Sequence, residues 1–321
     1  MDLAKDILVA HERIQPYVLE TMVEYSPWLS QLCEGEIWLK LEHLQTTGSF
    51  KLRGATNKVL SLSPEQREHG VITASTGNHG SAFAYIADKL HCKGKIYLPE
   101  TVSPAKVAPM KLYDVELVYH GQDSLESETK ARESAAESGQ EFISPYNDPF
   151  IIAGQGTIGI ELERQIPELD CVLISVGGGG LISGISTYLK SVKPDIEIIG
   201  CQPVNSPVMY ESVKRGEIWE MESLPTLSDG TAGGLEAGSI TFPICQALVD
   251  EYMLISEEEI QQALIWLMEK HYHLVEGAAA LPIAAVLQNP GRFKGKKVGL
   301  VLCGRKIGLP LLQQILSSVG G

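Results

Sequence analysis

The sequence predicts an α/β protein built on parallel sheets, and three observations carry that expectation. Short apolar, β-branched runs recur at 37–39, 71–73, 95–98, 116–118, 172–176, 196–201 and 297–302. Helical patterns fall between them at 81–90, 104–112, 124–137 and 182–191. Two glycine-containing segments stand where a strand pattern ends and a helical one begins. Strands separated by helices connect through right-handed crossovers, which makes their neighbours parallel and buries them on both faces.

Each junction has its own chemistry. After 37–39 comes Gly48-Ser49-Phe50-Lys51-Leu52-Arg53-Gly54, which sets Lys51 in a small-residue turn beside an aromatic ring at a helix start. A lysine amine becomes a nucleophile where burial or a nearby cation lowers its pKa, or where an aldehyde captures it as a Schiff base. After 71–73 comes Ala74-Ser75-Thr76-Gly77-Asn78-His79-Gly80, a strand, loop and helix N-terminus whose N–H groups and hydroxyls suit a carboxylate. The turn Pro145-Tyr146-Asn147-Asp148-Pro149, with the composition shift near Gly139-Gln140, marks a domain boundary. The run 172–176 leads into Gly177-Gly178-Gly179-Gly180-Leu181, where backbone can approach a phosphate at the positive end of a helix dipole. That loop lacks both the G-x-x-x-x-G-K-[ST] and the G-x-G-x-x-G spacing, so neither nucleotide-hydrolase nor dinucleotide chemistry is indicated. The polar stretch 205–238, with Pro225 and glycines at 230, 233, 234 and 238, reads as an ordered surface excursion over a site.

Composition bounds the rest. A chain of 321 residues with 44% hydrophobic and 21% charged residues is long enough for two cores. No apolar run approaches a bilayer crossing and the N-terminus lacks a signal pattern, so a cytoplasmic protein with no membrane partner is expected. Six scattered cysteines (Cys33, Cys92, Cys171, Cys201, Cys245, Cys303) without C-x-x-C spacing read as reduced core thiols. A formal charge of −14 disfavours nucleic acid. His271, Tyr272 and His273 invite a metal reading, which is set aside because positions i and i+2 do not share a helix face. No metal is expected.

Taken together, Lys40-Leu41-Glu42-His43-Leu44-Gln45-Thr46-Thr47-Gly48-Ser49-Phe50-Lys51-Leu52-Arg53-Gly54-Ala55, the loop from Ser75 to Gly80, Ala153-Gly154-Gln155-Gly156-Thr157 and the tetraglycine loop resemble the fold-type II pyridoxal-phosphate enzymes. The likeness is to the serine/threonine dehydratase and serine racemase group and extends from about Ile14 to about Leu311. It implies a tryptophan synthase β-subunit-like architecture, with a small domain at 48–145 inserted in a large one made of 1–47 and 146–321. It also implies pyridoxal 5'-phosphate as cofactor and a homodimer. Lys51 matches the Schiff-base lysine and Phe50 the ring beside the cofactor. Asn78 matches the partner of the pyridoxal 3′-oxygen, while Ser75, Thr76, Gly77, Asn78 and His79 match the grip on the substrate carboxylate. Gly177, Gly178, Gly179, Gly180 and Leu181 match the phosphate cradle. Cys303 stands where a serine or threonine usually faces the pyridine nitrogen, and a neutral partner there leaves that nitrogen mostly unprotonated, which favours elimination over long-lived carbanions. Glu276, in Val275-Glu276-Gly277, is expected to cap a small-residue helix and to lie near the cofactor.

The departures from the pattern are informative too. Thr76 replaces the serine that acts as a second base in serine racemase. Gln202 and Val208 align with an acidic pair that holds a metal in part of the group, and neither replaces a carboxylate for a hard cation. Cys303-Gly304-Arg305-Lys306 replaces S-G-G-N and puts two cations at the cleft edge. The expected activity is an ammonia-lyase acting on a small amino-acid substrate, L-threonine or L-serine, giving a 2-oxo acid and ammonia. Alternatives are a β-hydroxy amino acid racemase, a dehydratase of a bulkier substrate (3-hydroxyaspartate, phenylserine or a hydroxyectoine-derived compound) admitted by Gly233-Gly234, and a cofactor-binding sensor without turnover.

Overall fold

The computed structural model describes residues 2–317. Their strands, in chain order, are β1 (Val23–Tyr25), β2 (Glu36–Lys40), β3 (Val71–Ala74), β4 (Gly94–Leu98), β5 (Val115–Tyr119), β6 (Glu141–Phe142), β7 (Cys171–Ser175), β8 (Glu197–Pro203), β9 (Glu251–Ile255) and β10 (Lys297–Val301). They form a six-stranded sheet, β1-β2-β10-β7-β8-β9, and a four-stranded sheet, β5-β4-β3-β6. Every pairing is parallel except β1 with β2, as helical crossovers require. The α/β class with two parallel sheets is therefore the observed one. Each sheet has its own apolar core: Ile37, Leu39, Leu173, Ile198 and Leu300 belong to one, Val71, Phe83, Ile96 and Leu98 to another.

Several expectations shift. The helix expected over 104–112 is a single turn, Pro104–Val107, followed by a 3-10 turn Met110–Leu112. Pro109 has no N–H to continue the ladder and restricts the residue before it. The helix expected from Ser81 already starts at Asn78, and the one expected from Ile182 at Gly180. Strands β1, β6 and β9 were not anticipated. β6 is two residues long and β1 three, too short for a period-2 signal.

Beneath the start of helix Lys51–Ser61 lies a buried charge network. Arg53, fully buried, forks its guanidinium between Glu42 (2.8 Å) and Glu161 (2.5 Å), and Lys40 Nζ donates to Glu161 at 2.5 Å. Two cations meet two carboxylates, and Thr21 Oγ1 donates to Glu42 at 2.5 Å. Removing one member of such a set leaves an uncompensated buried charge, a loss of about 3–5 kcal/mol. The network ties β2, the turn before Lys51 and helix Pro149–Gln165 to one another. That helix packs closely on Lys51–Ser61: a Cβ at Gly154 would lie 2.6 Å from the Gly54 Cα. The Ala153-Gly154-Gln155-Gly156 text is therefore a packing motif, and it fixes the helix that begins with Lys51.

Candidate active site

Residues 48–50 are zipped to 303–305. Phe50 N donates to the Cys303 carbonyl at 3.0 Å, Arg305 N to the Gly48 carbonyl at 3.0 Å, and Ser49 pairs with Gly304 as an antiparallel bridge. This carries Lys51 to the end of the six-stranded sheet. Its Nζ donates to the Pro145 carbonyl at 2.8 Å and stands 5.1 Å from the Phe50 ring centre. Burial lowers the amine to about 8, while the acidic groups of Cys303 and Glu276 act in the other direction. A substantial neutral fraction is thus present near physiological pH.

The Cys303 thiol is buried, with Ser175 as a hydrogen-bonding neighbour. Burial, reinforced by Glu276, pushes it well above its ordinary value and keeps it as S–H. Glu276 stands at the N-cap position of helix Gly277–Gln288, but its side chain makes no capping bond, contrary to the expectation. Both of its oxygens instead accept from Asn78 Nδ2, at 2.8 and 2.9 Å, and Oε2 also accepts from Lys306 N at 3.1 Å. With 4% exposure the carboxyl is raised to about 7, burial being the main cause. The Asn78 Oδ1 is buried and has no partner among the described residues.

Ser75, Thr76 and Gly77 form the turn between β3 and helix Asn78–Lys89, with Gly77 N donating to Ser75 Oγ at 3.3 Å. The His79 ring is buried below that turn. Its Nε2 lies 3.1 Å from Thr73 Oγ1 and 3.2 Å from the Ile143 carbonyl, and burial, then the Lys51 charge, lower it to about 3. It is a neutral support for the loop, and only its backbone N–H remains on the helix terminus.

The four glycines follow β7. Gly179, at φ +84°, takes the left-handed turn into helix Gly180–Val192, whose N-terminus has no side-chain cap. A Cβ at Gly178 would fall 2.5 Å from the Tyr146 ring, so only glycine permits that approach. Thr241 Oγ1 donates to the Gly178 carbonyl at 2.6 Å. The excursion closes over this loop: a Gly177 Cβ would meet Thr231 at 3.0 Å, and Gly230 lies near the Glu276 carboxylate. Arg132 pairs with Glu236 at 2.9 Å, Asn147 Nδ2 donates to Glu236 at 2.9 Å, and Glu236 N donates to Tyr146 Oη at 2.8 Å. At the cleft edge, Arg305, Lys306, Ser81, Thr46 and Thr47 line a cavity of ≈ 190 Å³.

This set fits pyridoxal phosphate. The uncapped helix terminus behind the glycine loop suits a dianion, the neutral thiol a ring nitrogen, the orphaned Asn78 amide oxygen a ring substituent, and the depressed Lys51 amine an aldehyde. Three neighbours were missed in the sequence: Tyr146 against the glycine loop, Ser175 beside Cys303, and the Pro145 carbonyl on Lys51. Only Tyr146 had a signal, as the aromatic in the boundary turn. Among the described residues no group of three or more His, Cys, Asp or Glu side chains is placed to hold a metal. Gln202 spends its amide on the Val176 carbonyl and the Tyr210 N–H. The helix-face argument for His271 and His273 fails, since helix Glu257–Lys270 ends before them and both rings bond the carboxylate of Glu24.

Comparison with known proteins agrees with the geometry. The family model described as pyridoxal-phosphate dependent enzyme matches residues 14–304. The L-threonine ammonia-lyase of Thermotoga maritima is 39% identical over 98% of this chain and 78% of its own. Among solved structures, threonine deaminase isoform 2 from Solanum lycopersicum superposes with TM-score 0.93 and 30% identity, covering 99% of this chain and 94% of that one. Maize serine racemase gives TM-score 0.91 and 30% identity over 98% and 97%.

Proposed function

The chain belongs to the pyridoxal-phosphate dependent enzyme family, and from that premise we propose that it is an ammonia-lyase for L-threonine or L-serine. The observation that carries this reading is the convergence of the depressed Lys51 amine, the neutral Cys303 thiol and the uncapped glycine loop. The cofactor, when bound, supplies the electron-withdrawing ring that acidifies the substrate α-proton. Lys51 Nζ, oriented by the Pro145 carbonyl, takes that proton. Ser75 and the N–H groups at the start of helix Asn78–Lys89 hold the substrate carboxylate, and the closed excursion excludes water. Residues 48–145, which contain the whole four-stranded sheet, act as the small domain of the cleft. A proton-transferring amine kept in this state argues against a sensor without turnover.

Thr76 decides between lyase and racemase. It replaces the serine that acts as the second base in serine racemase, and the neighbouring Ser75 hydroxyl is engaged by Gly77 N at 3.3 Å. Elimination therefore outruns inversion. The test is 2-oxo acid release from serine, threonine, 3-hydroxyaspartate and phenylserine, with chiral chromatography of the recovered substrate. Thr76→Ala is expected to keep dehydration of the L-substrate within about tenfold of wild type and to remove residual inversion. Wild-type protein that inverts serine faster than it deaminates it sinks the lyase reading. A bulkier substrate is the second reading, because a Cβ at Gly233 or Gly234 would meet no atom within 4 Å.

The homodimer is proposed from a surface. Edge strand β1 is joined to segment 271–274 through Glu24, and helix Pro27–Cys33 through its N-cap Ser26, whose Oγ lies 2.8 Å from His271 Nε2; this region exposes Met22, Tyr25, Trp28, Leu32 and Tyr272, the last at 88%. An unpaired edge beside aromatic side chains marks an interaction face, and a second copy is the occupant. Light scattering after gel filtration is expected to give a dimer for wild type and a monomer for Trp28→Glu. A wild-type monomer at micromolar concentration removes the proposal.

A further inference from the structure

Asn78 can present either end of its carboxamide to a neighbour. Its Nδ2 now donates to both Glu276 oxygens, at 2.8 and 2.9 Å, so Oδ1, buried and without a partner among the described residues, is left for whatever lies beyond. A half-turn of the amide exchanges the two ends, which are nearly identical in shape and opposite in hydrogen-bonding sense. Which end faces Glu276 depends on a proton. A carboxylate only accepts, so it claims the NH2 group. A protonated carboxyl has an O–H to give, and it can donate to Oδ1 and release Nδ2.

The surroundings do not lock that proton in one place. Lys306 supplies its N–H at 3.1 Å and its ammonium charge from the C-terminal loop, both favouring the carboxylate. Lys51 faces the carboxyl across the cleft from its own helix, and Arg305 acts on Lys306 from beside it. Against ionisation stand burial and Asp229, on the excursion, while the Cys303 thiol on the far side is neutral. His79, next to Asn78 on the same helix, is neutral. The balance leaves the carboxyl at about 7, where either form is within reach of physiological pH.

We propose that Glu276 and Asn78 form a proton-linked amide switch, in which the protonation of Glu276 sets whether Asn78 offers a donor or an acceptor to the ring oxygen of the bound cofactor. The proposal rests on the functional reading above. Release of the Glu276 proton to solvent separates two arrangements. In the first, Glu276 O–H donates to Oδ1 and Nδ2 donates to an anionic ring oxygen. In the second, with that proton gone, Nδ2 donates to the carboxylate and Oδ1 turns to the ring oxygen, which loses its donor. The amide turns and neither gains nor loses a proton. Glu276 is thus a positioning residue that tunes the cofactor through Asn78.

The experiment is a pH titration of the visible absorption band of protein loaded with pyridoxal phosphate, without substrate. Wild type is expected to show a spectral transition with its midpoint near 7. Glu276→Gln cannot ionise and should lose the transition, while Glu276→Asp, one methylene shorter, should keep one at a displaced midpoint. Asn78→Ala, which cuts the link, should lose it as well. A merely structural role for Glu276 would weaken cofactor retention and leave the midpoint in place, so an unmoved midpoint in Glu276→Gln overturns the switch. So does a wild-type band that does not change across the neutral range. Should Glu276→Gln fail to fold, as judged by thermal melting, an unmoved midpoint in Glu276→Asp overturns it instead. A wild-type protein that takes up no cofactor at all, with no visible band, would overturn the functional reading, a separate result.

Discussion

Lys51→Ala is expected to reduce 2-oxo acid release by at least on the order of 10⁴-fold, the upper range for a general base, because the residue is also the covalent anchor. The substitution leaves the supports of the site untouched. Arg53 and its carboxylate partners still hold the helix start, and the 48–50 to 303–305 zipper uses backbone groups. Folding should therefore be kept, with some cofactor retained on the glycine loop, visible as a changed absorption spectrum. Adding a small primary amine should restore part of the lost rate, since it replaces the missing base. The pH profile supplies a second check. Burial lowers the folded-state Lys51 amine to about 8, so the neutral, proton-accepting form gains as pH rises through that value. The wild-type rate should rise over the same window and flatten above it, and the rescued variant should follow the pKa of the added amine. Near-normal turnover in Lys51→Ala would remove the central assignment.

What could be read in the sequence was local. The turn around Lys51, the loop before Asn78 and the four glycines after β7 are each a few consecutive residues, and their chemistry follows from neighbours in the chain. What could not be read was assembled across it. The contact of Asn78 with Glu276 spans 198 positions, and the Lys51 partner is a backbone carbonyl at Pro145, which has no residue-type signature. Tyr146 against Gly178 is a packing fact, visible only once the boundary turn meets the end of β7. Lys40 and Arg53 read as ordinary charges, yet both are fully buried, because their partners come from Glu42 nearby and from Glu161, more than a hundred residues away. The fold shows the same division. Strands with apolar, β-branched runs, such as β7, stand out, whereas β9 opens with Glu251, which is paired to Arg292, and its run Tyr252-Met253-Leu254-Ile255 has a single β-branched residue. The helix-face argument for His271 and His273 failed for a related reason: it assumed a helix that ends one residue too early.

Gly178→Asp is expected to strip the cofactor while leaving a folded protein. Two effects add. The new Cβ would fall 2.5 Å from the Tyr146 ring, so the ring must swing away, and its hydroxyl would leave the Glu236 N–H that holds the excursion closed. The new carboxylate would also stand beside the uncapped N-terminus of helix Gly180–Val192, where it satisfies the N–H groups intended for the phosphate. Like charges about 4 Å apart in a site of effective dielectric near 20 repel by about 4 kcal/mol. That corresponds to roughly a 1,000-fold weaker cofactor affinity. Equilibrium dialysis against pyridoxal phosphate, read by the visible band, measures it directly. Gly178→Ala separates the two effects, since it keeps the clash with Tyr146 and adds no charge, and its loss should be the smaller by at least about tenfold. If Gly178→Asp binds the cofactor as tightly as wild type, the four glycines are a turn and the phosphate is held elsewhere.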